Sequence, residues 1–396
     1  MVEPRNGGLC PSLANAHFSV LVHEENRFYV AEVPDQVMPG RYHFSLHTPS
    51  SGIQNMQVEV VLLFGYHPGA EFGQPCPRHK CTYGEVGNGN VYYSGDVVEL
   101  TSTAQSLFSW PGLNKRKCAV SSLARATGGI KVSGSTFGYL NAACGLDSVH
   151  HLTTGVSRFN SDALRPLIWI KMIGDSNTRH MYLALSKRLK LGNCLSDGTP
   201  SVPERGACWG SYVLLTYSSY FIAWDEDEAI STLSHLLSDN LPTFVQGAKF
   251  ARTQTWHPYF DDPNAVPGYI FVSFGSHSPE LSASGYLSLL HKLKPLFLHH
   301  QERLVLVTTS AVQAKLIPGK FSTQPVLRNN VMLEATNNLI RTFGAETSIK
   351  VLDVFYMTLA FSSFRNGVFM RDAVHFLDPV YKAWEDLMCA ELLNIC

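Results

Sequence analysis

The sequence predicts an α/β fold, a parallel sheet with helices on both faces, preceded by a small β-sandwich module. Three observations carry this expectation. The run Leu167-Ile168-Trp169-Ile170-Lys171-Met172-Ile173 is almost continuously apolar, as in a strand covered on both faces. Further apolar runs alternate with helical segments along the rest of the chain, the pattern of βαβ units. Ahead of them, residues 17–64 read as short strands broken by Pro and Gly turns.

In the N-terminal part the strands are His17 to Val22, Phe28 to Val33, Arg41 to His47 and Met56 to Phe64. Pro34-Asp35, Pro39-Gly40 and Pro49-Ser50-Ser51-Gly52 separate them. Tyr42, Phe44 and Leu46 alternate as one buried face would. This module takes residues 1–74, and residues 75–160, rich in Gly, Ser, Pro and Cys, read as an irregular Cys-containing connector. The α/β domain then occupies residues 161–396, with strands at Leu167 to Ile173, Tyr269 to Phe274, Leu304 to Thr308 and Ile349 to Phe355. A helix follows the first strand directly: Tyr182, Leu185 and Leu189 recur at spacings of three and four, Lys187, Arg188 and Lys190 suit its C-terminal dipole, and Gly192 suits its stop. Further helices fall near residues 226–240, 282–298, 328–343 and 376–394.

A chain of 396 residues with 45% hydrophobic and 16% charged residues can bury a large core, which excludes wholesale disorder. Its net charge of −1 offers no electrostatic footprint for a phosphate backbone, so nucleic acid is not an expected partner. The start Met1-Val2-Glu3-Pro4 has no apolar leader, no run of 18 apolar residues occurs, and there is no Asn-x-Ser/Thr acceptor. The nine cysteines, Cys10, Cys76, Cys81, Cys118, Cys144, Cys194, Cys208, Cys389 and Cys396, cannot be paired from spacing. In a luminal or secreted chain several would be bridged and the odd one left free or paired outside, and in the cytosol all would be reduced. A missing N-terminal leader or anchor would reconcile the plain start with a luminal setting.

Chemistry concentrates at Gly174-Asp175-Ser176, between the apolar strand and the helix. A serine leaving the C-terminal end of a parallel strand stands where open α/β sheets place ligands, with helix N-terminal amides beside it to stabilise an oxyanion. Asp175 or Ser176 equally suits a simple N-cap. A nucleophilic serine needs a histidine to take its proton and a carboxylate to orient that histidine. Two Asp-x-x-His pairs qualify, Asp147 with His150 and Asp372 with His375. The second follows the last expected strand and precedes the final helix, which puts it on the strand-end side of the sheet with Ser176, so Asp372 and His375 are the favoured pair.

Gly-Asp-Ser after the first strand of the domain, with Asp-x-x-His before its last helix, resembles the GDSL/SGNH esterases. Gly174-Asp175-Ser176-Asn177-Thr178-Arg179 resembles more closely the Gly-Asp-Ser-x-x-Arg block of the PC-esterase family. Within it the chain is most similar to neurexophilin and PC-esterase domain proteins, good over residues 161–396 and suggestive over the first 160. The resemblance implies a three-layer SGNH-like domain behind an immunoglobulin-like sandwich. It implies Ser176 as nucleophile, His375 as general base and then acid, and Asp372 as the residue orienting the imidazole. Gly174, Asp175, Arg179, Gly275 and His277 would serve the oxyanion or the substrate, His277 standing where many relatives carry Asn. Gly206 and Gly210 are candidates for a further oxyanion donor.

The expected activity is therefore that of a carboxylic-ester hydrolase or O-acetyltransferase, passing an acyl group through Ser176. The resemblance implies an O-acetylated carbohydrate or glycoconjugate as substrate and a secreted or Golgi/ER-lumen location, with no cofactor. From a different class, a binding protein that keeps the fold without turnover, its β-sandwich mediating protein contacts, is the alternative. Trp256-His257-Pro258-Tyr259 could stack on a sugar ring or anchor the core. Cys76, His79 and Cys81 lack the second paired cluster of a structural zinc site, so no metal is expected. Asp225-Glu226-Asp227-Glu228 suits a helix N-terminus without one.

Overall fold

A computed structural model describes residues 167–199, 202–210, 212–220, 226–238, 262, 264–276, 283–313, 330–363 and 369–388, and ahead of them the backbone of nine strands between residues 16 and 147. Those strands are β1 (Ala16–Glu24), β2 (Arg27–Val30), β3 (Asp35–Met38), β4 (Arg41–His43), β5 (Met56–Gly65), β6 (Ser94–Leu100), β7 (Gly128–Ser133), β8 (Thr136–Asn141) and β9 (Leu146–Asp147). Seven of them pair antiparallel in the order β6-β5-β1-β2-β7-β8-β9, and β3 pairs with β4 in a separate ladder. The sandwich core expected for residues 1–74 falls on side chains outside the described residues. Residues 75–160, expected as an irregular connector, supply β6 to β9. Gly128, Gly129 and Gly138 interrupt the alternation by which a strand is read, which hides two of these four.

In the rest of the chain the elements run β10 (Ile168–Gly174), α1 (Ser176–Arg188), β11 (Asn193–Thr199), β12 (Val202–Trp209), β13 (Val213–Ser219), α2 (Glu226–Leu237) and β14 (Tyr269–Ser273). There follow α3 (Ala283–His299), β15 (Leu304–Val307), α4 (Asn330–Thr347), β16 (Lys350–Leu352), α5 (Phe355–Ser363) and α6 (Asp378–Met388). The sheet order is β11-β12-β13-β10-β14-β15-β16. β13, β10, β14, β15 and β16 are parallel, while β12 runs antiparallel to both its neighbours. The sheet is thus mixed rather than wholly parallel: an edge hairpin, closed by the Cys194–Cys208 disulfide, extends five parallel strands. Gly198 and Pro203 within that hairpin belong to turn chemistry, and its strands lack the apolar run of a central strand.

Period-2 alternation sends side chains of each parallel strand to opposite faces. Ile170, Met172, Phe271, Val305 and Val307 pack with Met181, Tyr182 and Leu185 of α1, with Phe355 and Phe361 of α5, and with Val380 and Trp384 of α6. Ile173, Ile270, Val272, Leu304 and Leu306 meet Leu233 of α2, Leu289 and Leu293 of α3, and Ile340 and Phe343 of α4. Helices therefore cover both faces. Each fully buried Leu, Ile or Phe contributes about 1.5–3 kcal/mol relative to exposure, so the two clusters supply the main stabilisation of the domain. Phe355, expected to end a strand, instead begins α5. Phe355, Met357, Thr358, Leu359, Ala360, Phe361 and Ser362 are all buried, so this helix has no polar face from which a 3.6-residue period could be read.

The chain passes from β10 to β13 on one side and then crosses back to β14 on the other. The carboxyl ends of β10 and β14 therefore flank the point where the winding reverses, the place where an open α/β sheet leaves a crevice.

Candidate active site

That crevice is where Gly174, Asp175 and Ser176 emerge. Asp175 has extended backbone and caps α1, its Oδ1 accepting from the amides of Asn177 at 3.0 Å and Thr178 at 3.4 Å. Its Oδ2 accepts from the Ser276 amide at 3.1 Å, which ties the end of β10 to the end of β14. All three hydrogen bonds to this carboxylate come from backbone amides. Among the described residues Arg179 bonds Asp175 through the ordinary helical bond from its amide to the Asp175 carbonyl, 3.0 Å. Arg179 Nε is buried and, among the described residues, makes no hydrogen bond.

Ser176 opens α1. With the next two amides committed to Asp175, its own is the helix N-terminal amide nearest the hydroxyl. Ser176 Oγ lies 2.6 Å from His375 Nε2, and His375 Nδ1 lies 2.7 Å from Asp372 Oδ2. Asp372 Oδ1 accepts from the amides of Val374 and His375, 2.8 Å each. Burial alone would raise the Asp372 carboxyl, yet these amide and imidazole hydrogen bonds hold it below the usual carboxylate value. An ionised carboxylate only accepts, so the imidazole proton sits on Nδ1 and Nε2 is left to accept from the serine hydroxyl.

The histidine belongs to a loop between α5 and α6 that folds on itself. Met370 bridges Phe376, and Arg371 N donates to the His375 carbonyl at 2.8 Å. The segment after β15 supports this loop and the β14 end together. Gln313 N donates to the Ala373 carbonyl at 2.8 Å, and Thr309 Oγ1 donates to the Gly275 carbonyl at 3.2 Å. Tyr217 of β13 donates to the carbonyls of Gly174 and Asp175, at 3.1 and 3.2 Å, and burial pushes its hydroxyl up to about 12, so it stays protonated as a donor.

Two side chains beside the histidine had no signal in the sequence. His180, one turn along α1 from Ser176, meets the His375 ring edge-on at 5.4 Å and stacks on Tyr381 at 5.3 Å. Burial first, then electrostatic repulsion from the side of His375, Arg179 and Arg371, lowers His180 to about 4, so at neutral pH it is an uncharged wall. Asn177, next in sequence to the serine, is 2% exposed and hydrogen-bonded to Ser310, Val374 and Tyr381.

Among the glycines, Gly275 takes φ +71° against Asp175, and a Cβ on Gly174 would lie 2.3 Å from Thr178 Oγ1. Gly206 lies within β12, where a Cβ would meet Tyr182 Oη at 2.8 Å, so its role is close packing of the hairpin on α1. Gly210 bonds to Val213, which pairs with Ile168 at the start of β10, so it stands at the opposite end of the sheet from Ser176. His277 and Trp256 to Tyr259 lie outside the described residues, as do Cys76, His79, Cys81, Asp225 and His150. Among the described residues no three His, Cys, Asp or Glu side chains converge as metal ligands, and no helix is long and apolar enough to cross a membrane.

No family model and no curated protein matches the sequence. Solved structures do. A lipase/acylhydrolase from Enterococcus faecalis is similar at 12% identity and TM-score 0.36, over 57% of this chain and 95% of that one. A lipolytic G-D-S-L family protein from Veillonella parvula is similar at 14% identity and TM-score 0.32, over 58% and 100%. The acetylxylan esterase Axe2 from Geobacillus stearothermophilus is similar at 9% identity and TM-score 0.31, over 57% and 94%.

Proposed function

We propose that this protein is a serine-dependent esterase or O-acyltransferase of the PC-esterase kind, working through an acyl-enzyme on Ser176. One observation carries the reading: the continuous hydrogen-bonded line from Ser176 Oγ through His375 to Asp372, at 2.6 and 2.7 Å. Such a line is what a serine hydroxyl needs to become nucleophilic near neutral pH. An N-cap alone would not require His375 at its Oγ.

In the proposed reaction Ser176 Oγ adds to the ester carbonyl as its proton passes to His375 Nε2. The oxyanion forms against the Ser176 amide at the positive end of α1. Collapse breaks the ester C–O bond, and His375 returns the proton to the leaving alkoxide. Water, or a second hydroxyl, then gives its proton to His375 and attacks the acyl carbon, releasing the acid or the transferred ester and restoring Ser176. Asp372 stays ionised throughout, orienting the imidazole and offsetting its transient charge.

An O-acetyl group on carbohydrate is the proposed substrate, on the sequence resemblance of the two anchoring motifs. A luminal or extracellular setting is proposed with it, supported by the Cys194–Cys208 disulfide, a bond that persists in oxidising compartments. The test is acetate release from O-acetylated xylan or an aryl acetate by the purified protein. Turnover should fall by about 10⁴-fold or more in Ser176→Ala and in His375→Ala. Turnover surviving in Ser176→Ala would remove the proposal.

A further inference from the structure

We infer that Asn177 is a positioning residue, setting the distance between His375 and Ser176 by clamping the histidine loop onto the nucleophile helix. The inference rests on the serine-esterase reading above. Asn177 Nδ2 donates to the Val374 carbonyl at 3.1 Å and to Ser310 Oγ at 3.0 Å. Its Oδ1 accepts from the Tyr381 hydroxyl at 2.7 Å, and that hydroxyl in turn accepts from the Phe376 amide at 3.3 Å. Val374 and Phe376 are the two residues flanking His375. One buried amide therefore holds the chain on both sides of the general base, directly on one side and through Tyr381 on the other.

The alternative account of a buried asparagine is simple satisfaction of local polar groups. The partners here argue for more than that. They come from three separate places, the segment after β15, the histidine loop and helix α6, at sequence distances of 133, 197 and 204 residues. What these places share is the histidine loop: the segment after β15 also donates to its Ala373 carbonyl, and Tyr381 of α6 accepts from its Phe376 amide. Asn177 also sits one residue from the nucleophile on a capped helix end, so any displacement of its amide moves Val374 relative to Ser176 with little slack.

A rigid mount matters because proton transfer from Ser176 needs His375 within hydrogen-bond reach at the moment of attack. Misplacement by about 1 Å costs on the order of 100-fold in rate. Tyr381 completes the mount from the other side: it also carries the His180 ring, which stands edge-on to His375.

Labelling by a fluorophosphonate separates geometry from folding, since the final labelled fraction counts folded sites and the rate constant reports how each site reacts. Asn177→Ala should slow labelling per site by about 10- to 100-fold. With an aryl acetate the loss should fall on kcat and leave KM within about twofold, because Asn177 is buried behind the histidine loop and does not form the binding surface. Tyr381→Phe removes one hydroxyl and should slow labelling in the same sense by a smaller factor, which keeps the test available if Asn177→Ala does not fold. If the variants label at the wild-type rate and lose only labelled fraction, Asn177 is a structural residue and the inference fails. If the wild type itself is not labelled, the serine-esterase reading is what fails.

Discussion

Gly275 stands against Asp175 so closely that a Cβ added at Gly275 would lie 2.7 Å from both Cβ and Oδ2 of Asp175, with φ already at +71°. Asp175 cannot give way cheaply, because its carboxylate is held by the amides of Asn177, Thr178 and Ser276. Gly275→Ala should therefore cost about 1–3 kcal/mol in urea unfolding, combining left-handed backbone strain with the clash. Gly192→Ala is the matched control: nothing lies within 4 Å of its added Cβ, and the change should stay within about 0.5 kcal/mol.

His180 makes the fold sensitive to mild acid. Its folded value of about 4 lies below the ordinary 6.5, so between those two values the unfolded chain binds the proton more readily. Stability should fall as pH drops from 6.5 towards 4 and regain nothing below it. His180→Phe keeps a ring on Tyr381 without a titrating group and should flatten that slope. Denaturant midpoints at pH 5 and pH 7, compared between wild type and variant, read the difference.

Arg341 holds two buried carboxylates at once. It donates to Asp353 at 2.6 and 3.2 Å and to Glu334 at 2.9 and 3.2 Å, while Tyr356 donates to Glu334 at 2.5 Å. Burial raises the Glu334 carboxyl above the usual range, and the hydrogen bonds from Arg341 and Tyr356 oppose that rise. Arg341→Met would leave both acids buried without their counter-charge and should cost about 3–5 kcal/mol in equilibrium unfolding. Asp353 also accepts from Thr308, at the start of the segment that supports the histidine loop, so the same variant should lower the proposed turnover of an aryl acetate.

The disulfide between Cys194 and Cys208 closes a short loop on the edge hairpin, with a sequence separation of 14. Tyr182 of α1 donates to Cys208 Sγ at 3.1 Å and would lie 2.8 Å from a Cβ on Gly206, so hairpin and helix form one packed unit. Removing the bond by the paired change Cys194→Ser with Cys208→Ser should cost about 3 kcal/mol, the loop-closure entropy of a loop this size. Reductant should lower the stability of the wild type by more than that of the double variant.

Central elements were the legible ones. Ile168 to Gly174 and Tyr269 to Ser273 are buried on both faces, and so wrote themselves as apolar runs. In the helix Phe355–Ser363 the residues from Phe355 to Ser362 are buried except Tyr356, which is half-buried, so no polar stripe shows, and the strands Asn193–Thr199 and Val202–Trp209 carry too few apolar residues to stand out. At the site, Gly174, Asp175 and Ser176 are local, and Asp372 with His375 is local too. Preferring His375 over His150 required the order of strands, which spacing hinted at through chain position alone. Asn177 was in plain view beside the serine, but its meaning lies in hydrogen bonds to Ser310, Val374 and Tyr381, and nothing in a single sequence links positions so far apart.

The measurement closest to the centre of this account is covalent labelling of the full chain with a fluorophosphonate, followed by peptide mass spectrometry to locate the adduct. The adduct should form on Ser176, disappear in Ser176→Ala, slow severely in His375→Ala, and persist at the wild-type rate in His150→Ala. An adduct on another serine, or one that survives Ser176→Ala, would contradict the assignment of Ser176, His375 and Asp372 as the reacting line.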